Sequence, residues 1–164
     1  MRASLATLAL AGCEVQLRRA DREDVAAIVD LLSADPLGSC RERLAGDADL
    51  GIYVRAFETV DADQAQLLVV ATADDEVVGT FQLSFIPGMS RRGALRAQLE
   101  AVRVHDGYRG HGLGGAMIRW AIAEARRRGC TLMQLTTDKA RTDAHRFYER
   151  LGFIASHQGL KLTL

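Results

Sequence analysis

The chain has 164 residues, enough for one domain that buries a substantial core without covalent staples. It is 48% hydrophobic and 26% charged, with 21 basic residues against 21 acidic ones. A formal charge of zero gives no global reason to expect nucleic acid or a membrane surface as a partner. Cys13, Cys40 and Cys130 are scattered, without the C-x-x-C or Cys/His spacing a metal site needs, so no metal is expected and a reduced, intracellular compartment is the simplest fit. No stretch approaches the roughly 20 apolar residues that span a bilayer.

The opening MRASLATLALAGCEV contains Arg2, a short apolar run and Leu10-Ala11-Gly12-Cys13, which resembles a lipoprotein cleavage box. The run is short for a secretory core, and the first strand is expected to start at Cys13. Residues 1–12 are therefore expected to be a disordered or loosely attached extension of a single domain, 13–164. EVQLRRA (14–20) alternates as a strand. Asp21 then caps a helix whose apolar stripe is Val25, Ile28, Val29 and Leu32. A less regular helix is expected within 41–58. Residues 66–72 and 77–86 read as a hairpin turning at Asp74-Asp75.

The strand LRAQLEAVRV (95–104) changes phase. Leu95, Ala97, Leu99 and Ala101 are apolar in alternation, and then Val102 and Val104 are. Either an extra residue is inserted as a β-bulge near Ala101-Val102, or the strand end is buried on both faces. A strong helix, 112–128, follows, with Ile118, Ala121, Ile122 and Ala125 on one stripe and Gly129 as its stop. CTLMQLTT (130–137) reads as a buried strand. DKARTDAHRFYERLG reads as a helix capped by Asp138 and ended by Gly152, and FIASHQGLKLTL as a closing hairpin.

Between strand and helix lies VHDGYRGHGLGGAMIRW, residues 104–120. Gly110, Gly112 and Gly115 match G-x-G-x-x-G, yet only about fifty residues remain and an antiparallel hairpin precedes, which fits a dinucleotide fold poorly. No Lys-Ser or Lys-Thr follows, which excludes an ATP-type phosphate loop. What stands is Arg109-x-x-Gly112-x-Gly114 opening a helix. There, backbone N–H groups can approach an anion closely and the helix terminus adds positive partial charge, as a pyrophosphate requires.

These residues resemble the GNAT superfamily of acyl-CoA-dependent N-acetyltransferases. LEAVRVHDGYRGHGLG resembles its fourth strand and R/Q-x-x-G-x-G/A loop, and AHRFYERLGF its final helix, through Ala144, Tyr148, Gly152 and Phe153. The resemblance implies an α/β single-domain GNAT-like fold: a mixed, mainly antiparallel sheet with a bulged, splayed central strand pair and flanking helices. It implies acetyl-CoA as co-substrate, with Val102, Arg103 and Val104 along the pantetheine arm. The pyrophosphate would be wrapped by Arg109, Gly110, His111, Gly112, Leu113, Gly114 and Gly115.

It further implies transfer of an acetyl group to a primary amine by direct attack on the thioester. Glu100 would take the amine proton through a water, and Tyr148 would protonate the departing thiolate; a strand N–H near Val102 would face the oxyanion. Glu100 as a solvated strand carboxylate and Tyr148 as a core tyrosine bonded to a carbonyl are the plainer readings of the same residues. Arg141 stands where many relatives carry Asn. The expected acceptor is a small molecule, with Arg91-Arg92 hinting at an anionic one. The alternatives are a protein N-terminus or lysine, or a non-catalytic acyl-CoA-binding module. A cytoplasmic protein is expected, with a homodimer as a possible assembly and neither nucleic acid nor membrane as partner.

Overall fold

The computed structural model describes residues 3–10, 12–34 and 47–164, without the side chains of Asp47 and Ala48. Its strands are β1 (Ser4–Leu10), β2 (Cys13–Arg19), β3 (Gln66–Ala73), β4 (Glu76–Pro87), β5 (Leu95–Val104) and β6 (Leu132–Leu135). The helices are α1 (Val25–Ser33), α2 (Asp47–Ala62), the single turn α3 (Ser90–Gly93), α4 (Leu113–Arg127) and α5 (Thr142–Arg150). The six strands lie side by side in chain order. Neighbours from β1 to β5 are antiparallel, and β5 and β6 are parallel, joined by the α4 crossover.

Alternation decides what each sheet face carries. Leu17, Val69, Phe81, Leu83 and Leu99 point to one face and bury against Leu113, Met117, Ile118 and Ala121 of α4. Ala20 and Val70 point to the other, where Val25, Ile28 and Val29 of α1 and Phe57 of α2 cover them. The β3–β4 hairpin turns through Asp74 (φ 48°) and Asp75 (φ 64°), both left-handed, as a two-residue turn matching the strand twist requires. Gly129 (φ 82°) ends α4, with the Cys130 N–H donating to the Ala125 carbonyl.

Asp21 and Asp24 organise the entry to α1. The Asp21 N–H donates to the Asp24 carboxylate at 2.8 Å, and the Asp24 N–H to the Asp21 carbonyl at 3.1 Å. Arg18 on β2 closes the cluster with two hydrogen bonds to Asp24, at 2.6 and 2.7 Å. Burial pushes the Asp24 carboxyl up, but the Arg18 hydrogen bonds, the Asp21 N–H and the Arg18 charge outweigh it and hold the group below its ordinary value. A depressed carboxylate contributes stability above its unfolded pKa, about 3.9. That contribution is lost as pH falls through the folded value. Asp24→Asn should cost about 3 kcal/mol at neutral pH in urea denaturation, because it leaves the Arg18 guanidinium short of its partner. The deficit should shrink as the pH is lowered below about 4.

Three expectations need correction. The segment expected to be a loose extension supplies β1, an edge strand paired with β2 from Ser4↔Arg18 to Leu10↔Cys13. Ala6, Leu8 and Leu10 pack against the α4-side core. A chain starting at Cys13 should therefore lose about 2 kcal/mol of stability and bare the β2 edge, measurable by thermal and chemical denaturation. The expected closing hairpin does not form: residues 153–164 lie in no strand, and Leu160, Leu162 and Leu164 are exposed. The last helix begins only at Thr142. Asp138 holds the turn before it, accepting from the Ala140 N–H at 2.9 Å and, through its carbonyl, from the Arg141 N–H at 3.0 Å. The expected helix within 41–58 lies partly outside the described residues, and its observed part is α2.

Candidate active site

The phase slip in β5 is a bulge. Thr80 pairs with Arg103 and Gln82 with Glu100, so Phe81 on β4 faces two residues, Ala101 and Val102. Ala101 has φ 53°, a left-handed conformation that an L-residue enters at some cost. The extra residue returns Val102 and Val104 to the α4-side core while leaving Glu100 and Arg103 together on the other face.

The bulge coincides with a split in the sheet. β6 pairs with β5 only from Arg96↔Leu132 to Leu99↔Leu135, and β5 runs on to Val104 alone on that side. The carbonyls of Val102 and Val104 accept side-chain donors instead of a strand: Arg103 at 2.8 Å and Arg109 at 3.2 Å. Arg109 also pairs with Asp106 at 2.8 Å, which braces the loop.

At the end of β5 the glycine loop opens α4. Gly110 (φ 78°) and Gly112 (φ 86°) are left-handed, and a Cβ built on either meets nothing within 4 Å. That open space lies against the α4 N-terminus, which no side chain caps. Left-handed glycines, free space and uncapped N–H donors fit a pyrophosphate. At Gly114 a Cβ would meet the Phe147 ring and a Val104 methyl at 3.6 Å, an ordinary contact, so here α4 packs against α5 and β5. Leu113 is buried; Arg109, Gly110, His111 and Gly112 are exposed.

α5 carries Tyr148, half-buried and edge-on to Phe147 (5.1 Å between centroids) and Phe153 (5.6 Å). Burial raises the phenol above its ordinary pKa, and the charges of Arg103 and Arg141 pull it partly back. Tyr148 thus shares an environment with Arg103 of the bulge and with Arg141. His145 turns back to the Asp138 carbonyl at 3.0 Å, holding the turn rather than facing a ligand.

Glu100 is exposed on β5, one residue beyond the last β6 pairing, on the face opposite the α4 core. Arg91 (φ 53°) and Arg92 (φ 61°) are exposed in the turn before β5, at the strand end remote from the bulge, and so are not brought to the site. Motif reading missed the polar side chains that register aligns beside Glu100. Their signal was the polar phase of Thr80, Gln82 and Ser84 and of Gln98 and Glu100, which becomes a surface only once the strands are paired.

Among the described residues no cluster of His, Cys, Asp or Glu is arranged to hold a metal ion, and no helix is long and apolar enough to cross a membrane. The chain is 29% identical over 142 residues to the aminoalkylphosphonate N-acetyltransferase of Salmonella typhimurium, covering 87% of this chain and 86% of that protein. It is 28% identical over 159 residues to the glucosamine 6-phosphate N-acetyltransferase of Trypanosoma brucei brucei, covering 92% and 97%. A solved chain from Bacillus halodurans C-125, described as a transcriptional regulator, superposes with a TM-score of 0.87 at 45% identity, covering 92% of this chain and 99% of that one. Residues 25–153 match the acetyltransferase (GNAT) family, so the bulged strand, the split sheet and the glycine cradle belong to a member of that family of acetyl-CoA-dependent acetyltransferases.

Proposed function

We propose that this acetyltransferase moves the acetyl group of acetyl-CoA to the primary amine of a small, anionic acceptor, one that carries a phosphate or phosphonate. The observation that carries the cofactor half is the left-handed glycine pair with open space at the uncapped α4 N-terminus. Arg109, Gly110, His111, Gly112, Leu113, Gly114 and Gly115 would hold the pyrophosphate, with Val102, Arg103 and Val104 along the arm. The phosphorus-bearing amines named for both curated relatives support the acceptor half.

Acetyl-CoA, when bound, supplies an activated thioester. Glu100, exposed beside the split, takes the amine proton through a water. A main-chain N–H at the bulge, near Val102, faces the developing oxyanion. Tyr148, a phenol protonated at neutral pH and held above its ordinary pKa by burial, donates to the departing sulfur. The charges of Arg103 and Arg141 favour negative charge there. Dependence on acetyl-CoA supports a cytoplasmic location.

The test is thiol release from acetyl-CoA across a panel of aminoalkylphosphonates, amino-sugar phosphates, polyamines and peptides. Phosphorus-bearing small amines should turn over fastest. Turnover of peptides alone would overturn the acceptor assignment, and acetyl-CoA binding with no turnover would make the chain a binding module.

A further inference from the structure

The face of the sheet bearing Glu100 changes character along the strands. Near the bulge it is apolar or buried: Val70 is fully buried beneath α1 and α2, and Thr80 is fully buried with its hydroxyl donating to the Val69 carbonyl at 2.9 Å. Toward the other end it becomes polar. Strand register sets Gln66 opposite Ser84, Ser84 opposite Gln98, and Gln98 opposite Gln134, one residue from each of β3, β4, β5 and β6. Directly paired residues share a face, so the four form a straight row across four strands, about 14 Å wide. Gln82 and Glu100, paired with each other, lie in the adjoining row.

The row is organised. The Gln66 Oε1 accepts from Gln82 Nε2 at 3.0 Å and from Ser84 Oγ at 2.6 Å, and the Gln98 Oε1 accepts from Gln134 Nε2 at 2.7 Å. All five side chains are half-buried, screened by one another across the strands. The bonds use the oxygens of Gln66 and Gln98 and the nitrogens of Gln82 and Gln134. The amide nitrogens of the first pair and the oxygens of the second still offer donors and acceptors of fixed orientation. The band itself carries no charge, so it suits neutral hydrogen-bonding groups rather than an anion.

We propose that this amide and hydroxyl band beside Glu100 is the floor of the acceptor site, and that it selects amines whose neighbouring carbons carry hydroxyl groups. This rests on the reading of the chain as a small-amine acetyltransferase and refines it. An acceptor with its amine at Glu100 lays those hydroxyls over Gln98 and Gln134 on one side and Gln82 and Ser84 on the other.

Two probes that both carry phosphorus separate the claims: glucosamine 6-phosphate, rich in hydroxyls, and 2-aminoethylphosphonate, with none beside its amine. The full chain should favour the first by about 10- to 100-fold in kcat/KM, as two or three neutral hydrogen bonds provide. The double variant Gln98→Leu, Gln134→Leu should raise KM for glucosamine 6-phosphate by about the same factor. It should leave KM for acetyl-CoA and for 2-aminoethylphosphonate unchanged. Should that variant fail to fold, Ser84→Ala should shift the same KM in the same direction, about 3- to 10-fold. Equal use of both probes by the unmodified chain, or an unchanged sugar KM in the variant that folds, overturns the floor while leaving small-amine acetylation intact. Acetylation of neither probe overturns both.

Discussion

Tyr148→Phe is expected to lower kcat about 10²- to 10⁴-fold while leaving the Kd for acetyl-CoA nearly unchanged. The ring survives the substitution, so its edge-on contacts with Phe147 and Phe153 persist and stability should change little. What disappears is the hydroxyl proton, which a phenol carries at neutral pH. A donor used only as the C–S bond breaks contributes to the transition state and not to cofactor binding, so the loss should fall on kcat. Pre-steady-state thiol release, with the Kd measured separately, checks this. A wild-type rate with chemistry shown to be rate-limiting would reduce Tyr148 to a packing residue and leave water to protonate the thiolate.

Gly112→Val should abolish acetyl-CoA binding. Acetyl-CoA at a hundred times its Kd should stabilise the unmodified chain by roughly 2.7 kcal/mol. In the variant that increment should vanish, because the side chain enters the space that a Cβ finds open beside the α4 N-terminus. Valine at φ 86° is also strained, by roughly 1–2 kcal/mol, so the variant's own Tm falls. The decisive quantity is therefore the ligand-induced shift, not the absolute Tm. A shift retained in Gly112→Val, or an equal one given by NAD to the unmodified chain, would remove the pyrophosphate from this loop.

Much of this frame is legible in the residues. The β5 phase slip left two readings open, and the pairing of Phe81 with two residues decides for the bulge. Asp74-Asp75 marked the hairpin because a two-residue turn needs left-handed backbone that Asp tolerates. β1 was not legible: Ser4–Leu10 is rich in small residues with weak strand preference, and only pairing with β2 makes it a strand. The reverse happened at the end of the chain. Leu160, Leu162 and Leu164 alternate as a strand would, but a period of two forms a strand only where a neighbouring strand takes its hydrogen bonds. The polar row was hidden for a related reason, since its members come from four strands and register is not written in any one of them.

The bulge at Ala101 also restricts how the gene for such a chain can vary. Removing the codon for Ala101 would leave Leu95 to Val104 in unbroken alternation, with Val102 taking the inward place next after Glu100. Val102 and Val104 would stay in the α4-side core and Arg103 on the other face, so the core would survive and only the bulge would be lost. Substitutions at Glu100, Gln98 or Arg103 can retune the site one property at a time. A change in residue count cannot, because it removes the bulge altogether while leaving the core in phase. Acceptor preference can therefore drift by exchange of side chains, while the length of this strand is held by selection on the site and not on the core.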